Sequence, residues 1–317
     1  MNNLLIIGGI TPAMQEQLEQ TFRLQFLRDL DDPQGWLEEH GAQFEYVLTN
    51  GHDGVKPEYM AALPGLKLIS NYGVGYDAID AGLAAQRGIL VTHPPDVLNA
   101  EVATTALLLL LACYRELLPN DAHVRSGRWA TQGNAPLSRS ADNRTIGIVG
   151  LGRIGQAIAD KLAPFNSRIL YHSRSEKDVP YEYFADLTAM ARAAEVLICI
   201  TPGGASTRHL INREVLEALG PDGVLINVSR GSVVDEAALI EALENGTLGR
   251  AGLDVFEQEP QVPERLRALP NVVLTPHVGS GTVETRAAMG QLTVDNLLQH
   301  VKDGTVISPV PECAGLV

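Results

Sequence analysis

Cysteine is scarce in this chain, with three in 317 residues. Cys113, Cys199 and Cys313 are odd in number, far apart and without CxxC or His spacing, which supports neither a disulfide framework nor a zinc site and fits a reducing cytosol. Positive charge is also short. Lys plus Arg number 24 against 38 Asp plus Glu, and a net charge of −14 argues against nucleic acid or an anionic membrane as the main partner, leaving local basic sites open. No hydrophobic run is long. The longest, Ala106 to Tyr114, is about half a membrane span, is flanked by Glu101 and Arg115, and reads as a buried helix. The N-terminus has no basic region, and its apolar stretch, Leu4 to Ile10, is too short for a leader. Low-complexity segments and fixed-period repeats are absent too.

Hydrophobic residues make up 45% of the chain and charged residues 20%, too apolar for disorder and ample for a sizeable core. The length suits two domains or one large one. Short apolar runs alternate with helix-period stretches from end to end, the pattern of parallel strands with crossover helices. The first third carries strand runs at Leu4–Ile10, Phe44–Leu48, Leu66–Ile69 and Ile89–Thr92. A long helical segment starts near Asn99, and the polar stretch Thr131 to Asn143 reads as a loop. A second α/β unit follows, with six strands expected at Thr145–Val149, Arg168–Tyr171, Val196–Ile200, Val224–Val228, Gly252–Phe256 and Val272–Leu274. The last helix, roughly Val283 to Val301, has no place in that sheet and is expected to return to the first unit.

Gly150, Gly152 and Gly155 form GxGxxG between a strand and a helical stretch. The first glycine permits a tight turn, the second lets backbone N–H groups approach a pyrophosphate, and the third lets the helix pack close to the strand. An acidic residue that accepts a ribose 2′-OH is expected about 20 residues on, at the end of the next strand. Here that position reads His172-Ser173-Arg174-Ser175, with no carboxylate before Glu176. An arginine between two hydroxyls offers charge-assisted donors to a 2′-phosphate, so the residues point to NADP(H) over NAD(H).

Three further motifs sit at strand ends: Asn227-Val-Ser-Arg-Gly231, Asp254-Val-Phe-Glu-Gln-Glu-Pro260 and Thr275-Pro-His-Val-Gly279. Ligands of open α/β sheets bind outside the carboxyl ends of the strands, so Arg230, Glu259 and His277 form a candidate acid/base set. Singly, each also suits an ion pair, a solvated acid or a turn histidine; the combination is what points to chemistry.

The ordered set GLGRIG, NVSRG, AGLDVFEQEP and TPHVGS, with the upstream SNYGVGYDAID and THPPDVLNAEVA, resembles the D-isomer-specific 2-hydroxyacid dehydrogenase family over essentially the whole chain. Within it, the chain is most similar to the NADP-dependent glyoxylate/hydroxypyruvate reductases. The resemblance implies two doubly wound parallel-sheet α/β domains: a flavodoxin-like substrate domain from residues 1–98 plus 285–317, and a Rossmann-type cofactor domain from residues 99–284. It also implies a cytoplasmic homodimer formed largely through the inserted domain, acting on small 2-oxo acids.

By that resemblance Arg230 holds the substrate carboxylate and C2 oxygen, and His277 donates the proton. Glu259, placed by the DVFxxEP spacing, orients the imidazole, and Glu257 lies off that spacing. Val74 and Gly75 offer backbone N–H groups to the substrate carboxylate, with Asn50 and Gly51 in the neighbouring loop. Asp254 binds the nicotinamide carboxamide, and Trp129 reaches the partner subunit's active site. Cofactor contacts fall on Thr104, Gly150, Gly152, Arg153, Ile154, Gly155, Ser173, Arg174, Ser175, Pro202, Thr207, Val228 and Ser229. Two departures stand out. Thr104 replaces the acidic residue many members carry after Val-Ala, and Pro202-Gly-Gly-Ala-Ser-Thr207 replaces the usual PLTPET stretch.

The same fold also builds dinucleotide-sensing corepressors, because fold does not fix function. The intact Arg230, Glu259 and His277 set argues against that class. NAD-dependent phosphoglycerate dehydrogenase, a further alternative, is disfavoured by Arg174 and by a chain that ends soon after the last helix.

Overall fold

The computed structural model describes residues 1–316, which form two parallel sheets. The chain divides into two compact units, Met1–Leu98 with Thr282–Val317, and Asn99–Gly281. The second crossing falls at Thr282, slightly ahead of residue 285, because Thr282 caps the helix Val283–Asp303, its hydroxyl accepting from the Thr285 N–H at 3.2 Å. A cap belongs with the helix it starts.

The first unit contains β1 (Asn2–Ile6), β2 (Phe22–Phe26), β3 (Tyr46–Thr49), β4 (Leu68–Asn71) and β5 (Leu90–Thr92), in the order β2-β1-β3-β4-β5. Every pairing is parallel, and this is the flavodoxin-like order. Leu4, Leu5, Val47, Leu48, Leu68 and Ile69 are fully buried, as strands covered on both faces require. β2 eluded the sequence reading. Phe22-Arg-Leu-Gln-Phe26 alternates apolar and polar residues on a sheet edge, where only Phe22 is buried, so no continuous apolar run marks it. The helix Val283–Asp303 packs on β4, with Ser70 Oγ donating to the Thr293 carbonyl at 2.9 Å. The tail beyond it bridges β5 through Thr92 and Pro309.

The second unit contains β6 (Thr145–Val149), β7 (Arg168–His172), β8 (Glu182–Tyr183), β9 (Val196–Cys199), β10 (Val224–Asn227), β11 (Arg250–Leu253) and β12 (Val272–Leu274). Their order, β12-β11-β10-β9-β6-β7-β8, is the Rossmann order 3-2-1-4-5-6 with a seventh strand appended. Seven strands stand where six were expected. The extra one, β8, is a two-residue edge strand too short to show periodicity. β11 stops at Leu253 rather than Phe256, because the chain turns at Asp254 and the Phe256 N–H donates to Glu259 Oε1 at 3.0 Å.

The helix Asn99–Tyr114 packs on the helix Arg153–Leu162 and on β10 and β11, burying Leu109 and Leu110 at about 1.5–3 kcal/mol each. It ends where Glu116 enters the left-handed region at φ 49°, and a second helix, Leu117–Arg125, leaves at 61°. A short helix, Arg128–Gln132, occupies the start of the expected loop. No single helix among the described residues is long and apolar enough to cross a membrane. All three cysteines are unpaired and buried, and burial pushes the Cys113 and Cys199 thiols up to about 12.

Candidate active site

In the second unit, β6 and β9 are neighbours although three crossovers separate their places in the chain, so the sheet order reverses between them and opens a ligand position at their carboxyl ends. Gly150 follows β6 with φ at 102°, and a Cβ there would lie 3.0 Å from the Ile200 carbonyl carbon. Only glycine fits both constraints. Gly152 is exposed, faces open space and caps the helix Arg153–Leu162 without a side-chain hydrogen bond. Gly155 packs the helix against Gly150. The Gly152 N–H donates to the Gly150 carbonyl at 3.0 Å, so the first helical turn presents the N–H groups of Arg153 and Ile154 where a phosphate is favoured by charge and geometry.

At the end of β7, Ser173 Oγ donates to the Ser175 carbonyl at 2.6 Å, and the Lys177 N–H donates to Tyr171 Oη at 2.8 Å. These bonds close the turn beneath Arg174. Arg174 is exposed and has no ion-pair partner among the described residues. After β9, Thr207 Oγ1 donates to the Pro202 carbonyl at 2.8 Å, closing the loop through Gly203 and Gly204. Val228 and Ser229 are buried beyond β10, and Thr104 is exposed with its hydroxyl on the Ala100 carbonyl at 2.8 Å.

The candidate acid/base set occupies the ends of β10, β11 and β12. His277 Nδ1 lies 2.7 Å from Glu259 Oε2. A carboxylate only accepts, so Nδ1 carries the hydrogen and Nε2 is the nitrogen left for chemistry. His277 sits at φ 51°, a left-handed conformation that costs a non-glycine residue about 1–3 kcal/mol. Asp254 holds it there. Its fully buried carboxylate accepts from Thr275 Oγ1 at 2.7 Å, the Val278 N–H at 2.8 Å and the Gly279 N–H at 2.7 Å. Arg230 is anchored by Asn227, whose Nδ2 donates to the Arg230 carbonyl at 3.0 Å while its Oδ1 accepts from the Ser229 N–H and Oγ. The guanidinium donates to the Ser229 carbonyl at 2.8 Å. Glu257 does different work from Glu259, accepting from Arg208 at 2.9 Å and His209 Nε2 at 2.8 Å. Trp129 is 58% exposed, with Nε1 on Asn134 Oδ1 at 3.1 Å.

In the first unit, Val74 and Gly75 lie in the turn that follows β4, and Asn50 and Gly51 follow β3. The Asn50 side chain accepts from the His52 and Asp53 N–H groups, capping its own turn. Gly73 approaches Gly51, which joins the two loops.

Residues 107–279 match the family model described as D-isomer specific 2-hydroxyacid dehydrogenase, NAD binding domain. A glyoxylate/hydroxypyruvate reductase A of Arabidopsis thaliana is 43% identical over 97% of this chain and 98% of its own length. The chain belongs to the D-isomer-specific 2-hydroxyacid dehydrogenases. A 2-ketogluconate reductase of Gluconobacter oxydans is 41% identical to this dehydrogenase over 97% of the chain and 98% of its own length. A crystal structure of an NADPH-dependent glyoxylate/hydroxypyruvate reductase from Sinorhizobium meliloti, in complex with NADP and malonate, superposes with a TM-score of 0.93, at 46% identity, covering 98% of this chain and 97% of that one.

Two further residues of this dehydrogenase's site, Asn227 and Gly231, are not marked out by the sequence although both stand inside the NVSRG stretch. Asn227 acts locally, on Ser229 and Arg230, whereas the role of Gly231 depends on a distant segment: a Cβ there would lie 1.9 Å from the Phe256 carbonyl, so this glycine lets the Arg230 turn abut the chain that carries Glu259. Gly231→Ala should cost about 1–3 kcal/mol or more through overpacking and should lower kcat with it. Thermal melts beside steady-state rates check this, and a fully active variant of unchanged Tm would refute the contact.

Proposed function

We propose that this dehydrogenase reduces small 2-oxo acids, glyoxylate and hydroxypyruvate among them, to 2-hydroxy acids of D configuration with NADPH. The observation that carries the reading is the His277–Glu259 pair at 2.7 Å beside the Asn227-anchored Arg230. Nicotinamide, when bound, supplies the hydride. His277 Nε2 would deliver the proton to the C2 oxygen, with Glu259 holding the ring through Nδ1. Arg230 would grip the substrate as a planar fork and stabilise charge developing on that oxygen. Val74 and Gly75 would receive the substrate carboxylate through their N–H groups, with Asn50 and Gly51 shaping the adjoining loop.

The open space beside Gly152, at the start of the helix Arg153–Leu162, fits a pyrophosphate. Gly150, Arg153, Ile154 and Gly155 would complete that cradle. Thr104, Pro202, Thr207, Val228, Ser229 and Asp254 would line the remainder of the cofactor. Ser173, Arg174 and Ser175 would hold the 2′-phosphate. Charged hydrogen bonds contribute about 1.5–3 kcal/mol each, so Arg174→Ala should lower kcat/KM for NADPH by about 10–100-fold and leave NADH nearly unaffected. Steady-state rates with both cofactors test this; an unchanged NADPH to NADH ratio, or a wild type that prefers NADH, contradicts it.

The exposed apolar residues Leu108, Leu117, Leu118, Val124, Trp129 and Leu137 all fall in one stretch of the second unit. That concentration supports a homodimer formed through this stretch, with Trp129 reaching the partner's site. Three unpaired thiols suit a reducing, cytoplasmic compartment.

A further inference from the structure

Three successive carbonyls of the turn after β4 are taken by side chains rather than by backbone. Asn71 Nδ2 donates to the Gly73 carbonyl at 2.7 Å and to the Gly75 carbonyl at 2.9 Å. His93 Nδ1 lies 2.9 Å from the Val74 carbonyl, which can only accept, so Nδ1 carries the hydrogen. In a trans peptide the C=O and N–H point oppositely. Fixing these three carbonyls therefore fixes the N–H directions of Val74, Gly75 and Tyr76, and none of the three donates to another group among the described residues. Successive unpaired N–H groups make an anion-binding concavity.

Both donors are themselves held. Asn71 is 1% exposed at the end of β4, and its Oδ1 has no partner within the protein while its amide nitrogen bonds twice to the turn. His93 is clamped by the returning end of the chain: its N–H donates to the Ser308 carbonyl at 3.2 Å, and Ser308 Oγ donates to the His93 carbonyl at 2.6 Å. The Tyr76 ring meets the His93 ring edge to face at 5.4 Å, and Tyr76 Oη donates to Glu312 at 3.1 Å.

We propose that Asn71 and His93 are positioning residues that aim the Val74, Gly75 and Tyr76 N–H groups at the substrate carboxylate. This rests on reading the turn as the carboxylate site. His93→Phe keeps a ring against Tyr76 and removes the donor, so KM for hydroxypyruvate should rise about 10-fold while kcat and NADPH affinity hold. His93→Asn restores an N–H donor near the same place and should recover most of the KM, which a packing role for the ring would not allow. Asn71→Ala should reproduce the His93→Phe phenotype.

The deciding experiment is an oxalate titration of the NADP-bound protein with ¹⁵N-labelled Val74, Gly75 and Tyr76 amides. These resonances should shift in the wild type, shift far less at equal oxalate in His93→Phe, and shift again in His93→Asn. Equal shifts in wild type, His93→Phe and Asn71→Ala would overturn the positioning role and leave the carboxylate site standing. No shift in the wild type would overturn the site and the positioning role together.

Discussion

His277→Ala should lower kcat by about 100-fold or more, the usual contribution of a positioned acid, while NADPH affinity stays close to wild type. The reasoning is geometric. Glu259 occupies Nδ1 at 2.7 Å, the backbone is held in the left-handed region at φ 51°, and Asp254 fixes the residues on both sides of the histidine. A strained residue braced by a buried carboxylate is pre-organised for a task other than packing. Single-turnover rates beside NADPH titrations would measure both effects, and near wild-type kcat would remove His277 from the chemistry.

Arg230→Ala should damage kcat and KM together, with kcat/KM falling about 1,000-fold. On the proposed reading one side chain would orient the substrate in the ground state and also stabilise oxygen charge in the transition state, and the loss of one such donor alone typically costs about 100- to 1,000-fold. Arg230→Lys should recover little, because an ammonium lacks the planar fork. Measured with hydroxypyruvate at saturating NADPH, a defect confined to cofactor affinity would place Arg230 at the wrong ligand.

What was legible in the sequence was local. GxGxxG announces its own turn because each glycine answers a constraint within a few residues, and the buried strands β6, β9 and β10 show as unbroken apolar runs. The edge strands β2 and β8 stayed hidden, since an edge needs neither an apolar run nor length. The break at Glu116 was equally silent, because nothing in its neighbours calls for a left-handed residue.

In the site, residue types and spacing brought Arg230, Glu259 and His277 to notice, whereas the residues that hold them did not stand out. Asp254 suggested a cofactor contact, and in the fold its carboxylate braces the His277 turn. Asn71 meets a turn just beyond its strand, but His93 reaches the same turn from the end of a different strand. Such pairings depend on sheet order, which no single stretch of sequence encodes.

The central claim is most directly tested by mixing the purified protein with NADPH and hydroxypyruvate and following both cofactor oxidation and the configuration of the product. NADPH should be consumed one for one with D-glycerate formed. Tight NADPH binding without turnover, or a product of L configuration, would contradict the account.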